Sequence, residues 1–173
     1  MVEKEVIFGS KIKNTGPVNF KEFYRFCYDW LTDESNLIVI EEKYVEKISG
    51  DIKAMDIVWT GFRKITDYFK FEIKVTWRIT NMREIEIVKE GKKVKMNDGA
   101  VEIKVKGTLI RDYESKFEQS AFKKFLRGVY EKWVIPSRIE QYEDKLIEDA
   151  DEFLDQAKAY LDLEGQKAGT ILT

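Results

Sequence analysis

The sequence predicts an α+β fold: a curved seven-stranded antiparallel sheet, one helix after the first strand, and a long, Pro-interrupted C-terminal helical segment packed on the sheet. Three observations carry this. From Phe69 to Ile79, Phe69, Phe71, Ile73, Val75, Trp77 and Ile79 occupy every second position, with Lys70, Glu72, Lys74, Thr76 and Arg78 between them. Alternate side chains of a strand point to opposite faces, so this run has one dry and one wet face. Val101, Ile103, Val105, Gly107 and Leu109 repeat the pattern against Glu102, Lys104, Lys106 and Thr108. After Ser120 the apolar spacing changes to steps of three and four, the period of a helix.

Taken in order, Val6 to Ile12 reads as a first strand, closed by a turn at Asn14-Thr-Gly-Pro17. Asn19 is placed to cap a helix, with Glu22 three residues on completing a capping box. Phe20, Phe23, Tyr24, Cys27, Trp30 and Leu31 form its apolar stripe, and the helix should end between Asp33 and Asn36. Leu37–Ile48 and Ile52–Arg63 are the second and third strands, joined at Ser49-Gly50-Asp51. Thr66-Asp67 turns the chain into the organising fourth strand. Thr80-Asn81 then leads to a fifth strand through Ile85 and Ile87, and Glu90-Gly91 to a sixth with Val94 and Met96. Asn97-Asp98-Gly99 reads as a hairpin into the seventh, since these residues tolerate positive φ. Ser120 caps the first C-terminal helix, Ser137 and Glu140 suggest a second capping box, and Gly165 is the expected stop.

The chain of 173 residues suits one domain, read here as residues 1–164 with a flexible tail over 165–173. Its longest aliphatic run, Leu37 to Ile40, is too short for a membrane span, and no signal-peptide core follows the N-terminus. The single Cys27 forbids an internal disulfide and suits a reducing cytosol, so a cytoplasmic location is expected. It falls on the first helix's apolar stripe without a His or a second Cys nearby, which marks an inert buried thiol. Histidine is absent, which excludes Ser-His and Cys-His nucleophile pairs and the usual zinc sets. Net charge is −2, unevenly placed: Glu140 to Glu164 holds ten acids against two lysines, or −8, leaving about +6 on the rest. A docked helix with a solvated acidic face accounts for that asymmetry, and so does a partner.

The order strand, helix, six strands, long C-terminal helix resembles the helix-grip superfamily of START lipid-transfer domains, pollen-allergen-like proteins and polyketide cyclases. The chain departs from it in having one helix after the first strand, where two are usual. Two helical segments stand at its end in place of one, and there is a single glycine at Ser49-Gly50-Asp51. The resemblance implies a cavity between sheet and C-terminal helix, and with it non-enzymatic binding of a hydrophobic small molecule or lipid. The lining would be Trp59, Phe69, Phe71, Val75, Trp77, Tyr142, Ala150 and Phe153. Ala150 and Ala157, seven apart, either let the helix lie close to the sheet or leave room for a ligand. The rival for all these residues is an ordinary filled core.

Two further functions stay open. One is a protein-interaction or assembly module using the acidic C-terminal helix and the aromatic stripe of the helix before it. The other is a cyclase-type enzyme using carboxylates. Glu42 and Glu46, four apart on a strand, would share one face, and Asp56 lies opposite Met55 and Ile57. No residue is assigned as catalytic or metal-binding, and no cofactor is expected. Lys70, Lys74, Arg78, Lys104 and Lys106 make a basic wet face, with Lys92, Lys93 and Lys95 nearby. Glu72 and Glu102 interrupt it, and no exposed aromatics alternate with the cations, so nucleic acid is not an expected partner.

Pro136 bears on the shape. Ser120 to Leu163 as one rod would be about 66 Å long, against a domain diameter of roughly 40 Å. Pro136 removes a donor and biases Ile135 away from helix. A corner at Ile135–Ser137 is therefore expected. The second helix would grip the sheet, and the first would fold back with Phe122, Phe125, Val129 and Trp133 over one end of it. The alternative is a kinked projecting helix that dimerises through Ile139, Tyr142, Leu146, Ala150 and Phe153.

Overall fold

In the computed structural model, which describes residues 2–115, 120–134, 136–167 and 171–172, the two period-two runs lie side by side at the centre of one antiparallel sheet. The elements are β1 (Glu3–Val18), α1 (Phe20–Asp29) with a π-helical turn Trp30–Glu34, β2 (Ile38–Ser49), β3 (Ile52–Lys64), β4 (Phe69–Lys89) and β5 (Lys92–Arg111). They continue with α2 (Ala121–Val129) and a π-helical turn Tyr130–Val134, α3 (Pro136–Lys167) and a two-residue β6 (Ile171–Leu172). The strand order is β1-β5-β4-β3-β2, and β6 pairs with β4. The sheet therefore has five long strands, not seven.

The two missing breaks meet at one bulge. Asn81 adopts φ 54°, as a turn residue would. Here it makes the β4–β5 register slip between Thr80 and Arg83, and β4 runs on to Lys89. Asn97-Asp98-Gly99 also stays inside its strand, where Gly99 faces Gly16 of β1 and Asn97 faces Val18. A Cβ on Gly99 would stand 2.8 Å from Met82 Cα, so the bulge demands glycine there. The true hairpin is Glu90-Gly91, both with positive φ, and Gly50 turns β2 into β3 in the same way. β1 likewise passes straight through Asn14–Pro17. It is an edge strand, where the missing proline donor is tolerated.

One face of the sheet is dry as the alternation requires. Phe71, Ile73, Val75, Trp77, Ile103 and Val105 are buried, whereas Lys74 and Lys104 opposite them are exposed. Asn19 caps α1 by accepting from Glu22 N–H, and Ser120 caps α2 by accepting from Lys123 N–H. Phe23, Cys27 and Leu31 go down into the core, so the expected stripe and its buried thiol are observed. Burial pushes the Cys27 thiol well above its ordinary pKa. α1 carries the chain from the β1 edge to the β2 edge, and α3 lies beside it, with Tyr160 stacked on Phe26 at 4.8 Å.

α3 begins at Pro136, whose absent N–H costs nothing in a first turn. Ile135 of the expected corner lies outside the described residues. Along α3, Leu146, Ala150, Phe153, Leu154, Ala157 and Leu161 are buried. The alanines sit in this core contact, and beneath them a Cβ on Gly107 would stand 3.2 Å from Phe8 Cβ and 3.4 Å from Leu146 Cγ. α3 is a long helix packed on the sheet, and it runs past Gly165 to Lys167. Of the tail, Ile171 pairs with Ile87 and Leu172 with Glu86. Residues 168–170 and 173 lie outside the described residues. The expectation for α2 is overturned: Phe122, Phe125, Leu126, Val129 and Trp133 are exposed, and among the described residues none packs on the core cluster.

Candidate functional site

Burial brings the eight candidate lining residues to one side of the sheet. Trp59, Phe69, Phe71, Val75, Trp77, Ala150 and Phe153 belong to a single core cluster, and Tyr142 packs against it. They divide into two groups. Under α1, Trp59 and Trp77 meet edge to face at 5.0 Å, and Phe23 and Tyr24 close on Trp77 at 5.6 and 5.3 Å. Under the start of α3, Phe69 packs on Tyr142 at 5.1 Å. Arg63 lies over the Phe71 ring and donates to Asp149 at 2.9 Å and to Ser35 O at 2.6 Å, tying α3 to β3 and the π-helical turn.

The first group has a polar rim that sequence spacing did not reveal. Trp59 Nε1 donates to Tyr24 Oη at 2.8 Å, and Tyr24 hydroxyl donates to Glu41 Oε2. Burial, then the adjacent carboxylate, pushes the Tyr24 phenol well above its ordinary pKa. Trp77 Nε1, fully buried, has no acceptor among the described residues. Next to this group lies an open cleft of about 510 Å³, bounded by Phe20, Tyr44, Ile48, Met55, Met82 and Arg83 among others. It touches none of the eight. Phe20, which stands 6.2 Å from Trp77, separates the two.

The carboxylate pair is not assembled. A bulge between Glu41 and Lys43 reverses the faces, so Glu46 pairs across to inward Met55 while Glu42 turns to the outer side beside Lys70 and Glu72. Glu46 is held by Lys53 at 3.0 Å, and Asp56 faces Arg78 at 4.0 Å. These carboxylates have cationic neighbours on an open surface, which gives acid–base chemistry no enclosed site.

At the opposite end of the sheet, α2 is attached by polar contacts. Arg127, its one buried residue, donates through Nε to Tyr68 Oη at 2.9 Å and reaches Glu3 at 3.1 Å, Glu131 at 3.3 Å and Asp112 at 3.6 Å. Tyr68 hydroxyl donates to Glu131, and burial together with that carboxylate raises its pKa strongly. Tyr130 meets the Tyr68 ring at 5.8 Å. The stripe thus turns outward: Phe122 is 68% exposed, Phe125 65% and Trp133 72%. Spacing alone identified this stripe and could not say which way it faced. The signal was Arg127 within the helix, a cation whose partners include the buried Asp112 and, on β1, Glu3.

No family model, curated protein or solved structure matches the chain. Among the described residues no helix is long and apolar enough to cross a membrane, and no cluster of three acids or cysteines is placed to hold a metal.

Proposed function

We propose that this protein is a non-enzymatic docking module whose contact surface is the outward apolar face of α2. The observation that carries the reading is the exposure of Phe122, Phe125, Leu126 and Val129 on α2 and of Trp133 on the π-helical turn after it, fixed to the sheet through Arg127. Covering a large apolar side chain is worth roughly 1.5–3 kcal/mol, so five together favour a partner strongly. A photo-crosslinking residue at Phe125 should capture a partner, protein or lipid, in cells far better than one at Lys74 on the outer sheet face. Equal capture at both positions, or none at either, refutes the reading.

A second reading is that the sheet and its covering helices hold a hydrophobic small molecule or lipid, as kinship with the helix-grip superfamily would imply. The unpaired, buried Trp77 N–H next to Phe20 and the cleft favours it. If it holds, native mass spectrometry of the purified chain finds a bound apolar compound, or added lipids raise the melting temperature. A bare mass and an unmoved melting temperature end it.

A further inference from the structure

We propose that the partner of α2 is the surface of an anionic lipid bilayer, a step that rests on the docking reading. Between Ser120 and Arg138 the exposed cations are Lys123, Lys124, Lys132 and Arg138, whereas Arg127 is buried and paired, and the one acid is Glu131. That acid is turned inward to Tyr68 and Arg127. The exposed surface of the helix is therefore aromatic and aliphatic residues with lysines beside them, and no described carboxylate of the helix stands among them. Lys132 Nζ lies 5.2 Å from the Trp133 ring centre, placing a cation and an amphipathic ring together at one end.

This is the composition of a helix lying in a membrane interface, with Phe, Leu and Trp along one face and Lys flanking them. Lysines gain from the negative potential of the headgroups, and tryptophan favours the boundary between headgroup and acyl chain. A protein groove would need matching polar groups along its rim. A bilayer asks only that apolar residues and cations face the same half-space, and the anchoring of Arg127 into the sheet arranges that. The helix lies on the membrane and does not span it, in keeping with its nine α-helical residues.

The full chain should float with vesicles of phosphatidylcholine mixed with phosphatidylglycerol, and at least about tenfold less with phosphatidylcholine alone. Salt near about 1 M should release it. Trp133 emission should shift to the blue on binding, and the shift should vanish in Trp133→Phe. Lys124→Glu with Lys132→Glu should weaken binding about thirtyfold or more, at roughly fivefold per lysine. Phe125→Ser should also release the protein while leaving its melting temperature in place. Flotation that ignores both sets of substitutions overturns α2 as the contact. Absent flotation with Phe125 crosslinked to a protein overturns the membrane proposal and leaves the docking reading standing. Absent flotation with a dimer in light scattering assigns the face to a second copy. If neither flotation nor crosslinking occurs, both ideas fall.

Discussion

Three phenols sit where the helices meet the rest of the fold, and each keeps its proton unusually tightly. Tyr24 faces Glu41, Tyr68 faces Glu131, and Tyr160 lies against Phe23 and Phe26 of α1. Burial, with nearby Glu164 and Glu22 adding to it, pushes Tyr160 up to about 12; Tyr24 and Tyr68 are raised further. In the unfolded chain these phenols ionise near about 10. Above that value the folded chain binds more protons than the unfolded one, so stability falls with rising pH. It should be intact below about pH 10 and be lost progressively toward about pH 12. Urea unfolding at a series of alkaline pH values checks this, and a flat profile over that range contradicts it. Tyr24→Phe removes a hydrogen bond to a carboxylate and should cost about 1.5–3 kcal/mol, seen as a melting temperature roughly 3–12 °C lower. At this scale the sequence was partly legible. Alternation placed Trp59, Phe71 and Trp77 inside, since one residue type per position suffices for that. Glu42 and Glu46 were misplaced because a single inserted residue reverses a strand's faces, and nothing in Glu-Glu-Lys announces a bulge.

At the scale of elements, bulges and hairpins use the same residues, which is why the strand count was overestimated. Asn81 and Gly99 meet a demand for positive φ or for missing bulk, and that demand is the same whether the chain reverses or only kinks. The helices were easier, because Asn19 and Ser120 cap through side chains three residues from their partners. Two glycine substitutions separate the cases. Gly99→Ala must push a Cβ against Met82 backbone and should destabilise by about 1–3 kcal/mol. Gly128→Ala in α2 meets nothing within 4 Å and should stabilise by about 0.5–1 kcal/mol. Thermal unfolding of the two variants should move in opposite directions. A loss of stability in Gly128→Ala would mean that α2 is not helical in the free chain.

Over the whole molecule, the sheet carries different features at its two ends, the cleft beside α1 at one and the outward helix α2 at the other. The α+β class and the packing of a long C-terminal helix on the sheet could be read from periodicity, since both follow from burying one face. The outward turn of α2 could not be read, because the same stripe serves a core or a surface, and only tertiary contacts such as those of Arg127 decide. Hydrogen exchange tests the arrangement. Amides of Val75, Trp77, Ile103 and Val105, in paired central strands, should exchange most slowly, and outward amides of β2 and those of α2 fastest. Slow exchange across β2 in the isolated chain would contradict its place at a free edge. The pairing of β1 has a consequence for how the protein is made. Glu3 pairs with Arg111 and Val18 with Asn97, so β1 leaves the ribosome before β2 to β5 yet is among the last of them to find its neighbour. At about 5–20 residues per second of synthesis, β1 waits roughly 5–20 s for β5. Throughout that interval α1 has no completed floor to close upon, and the nascent chain holds its aromatic residues in the open, where a chaperone would meet them before the sheet does.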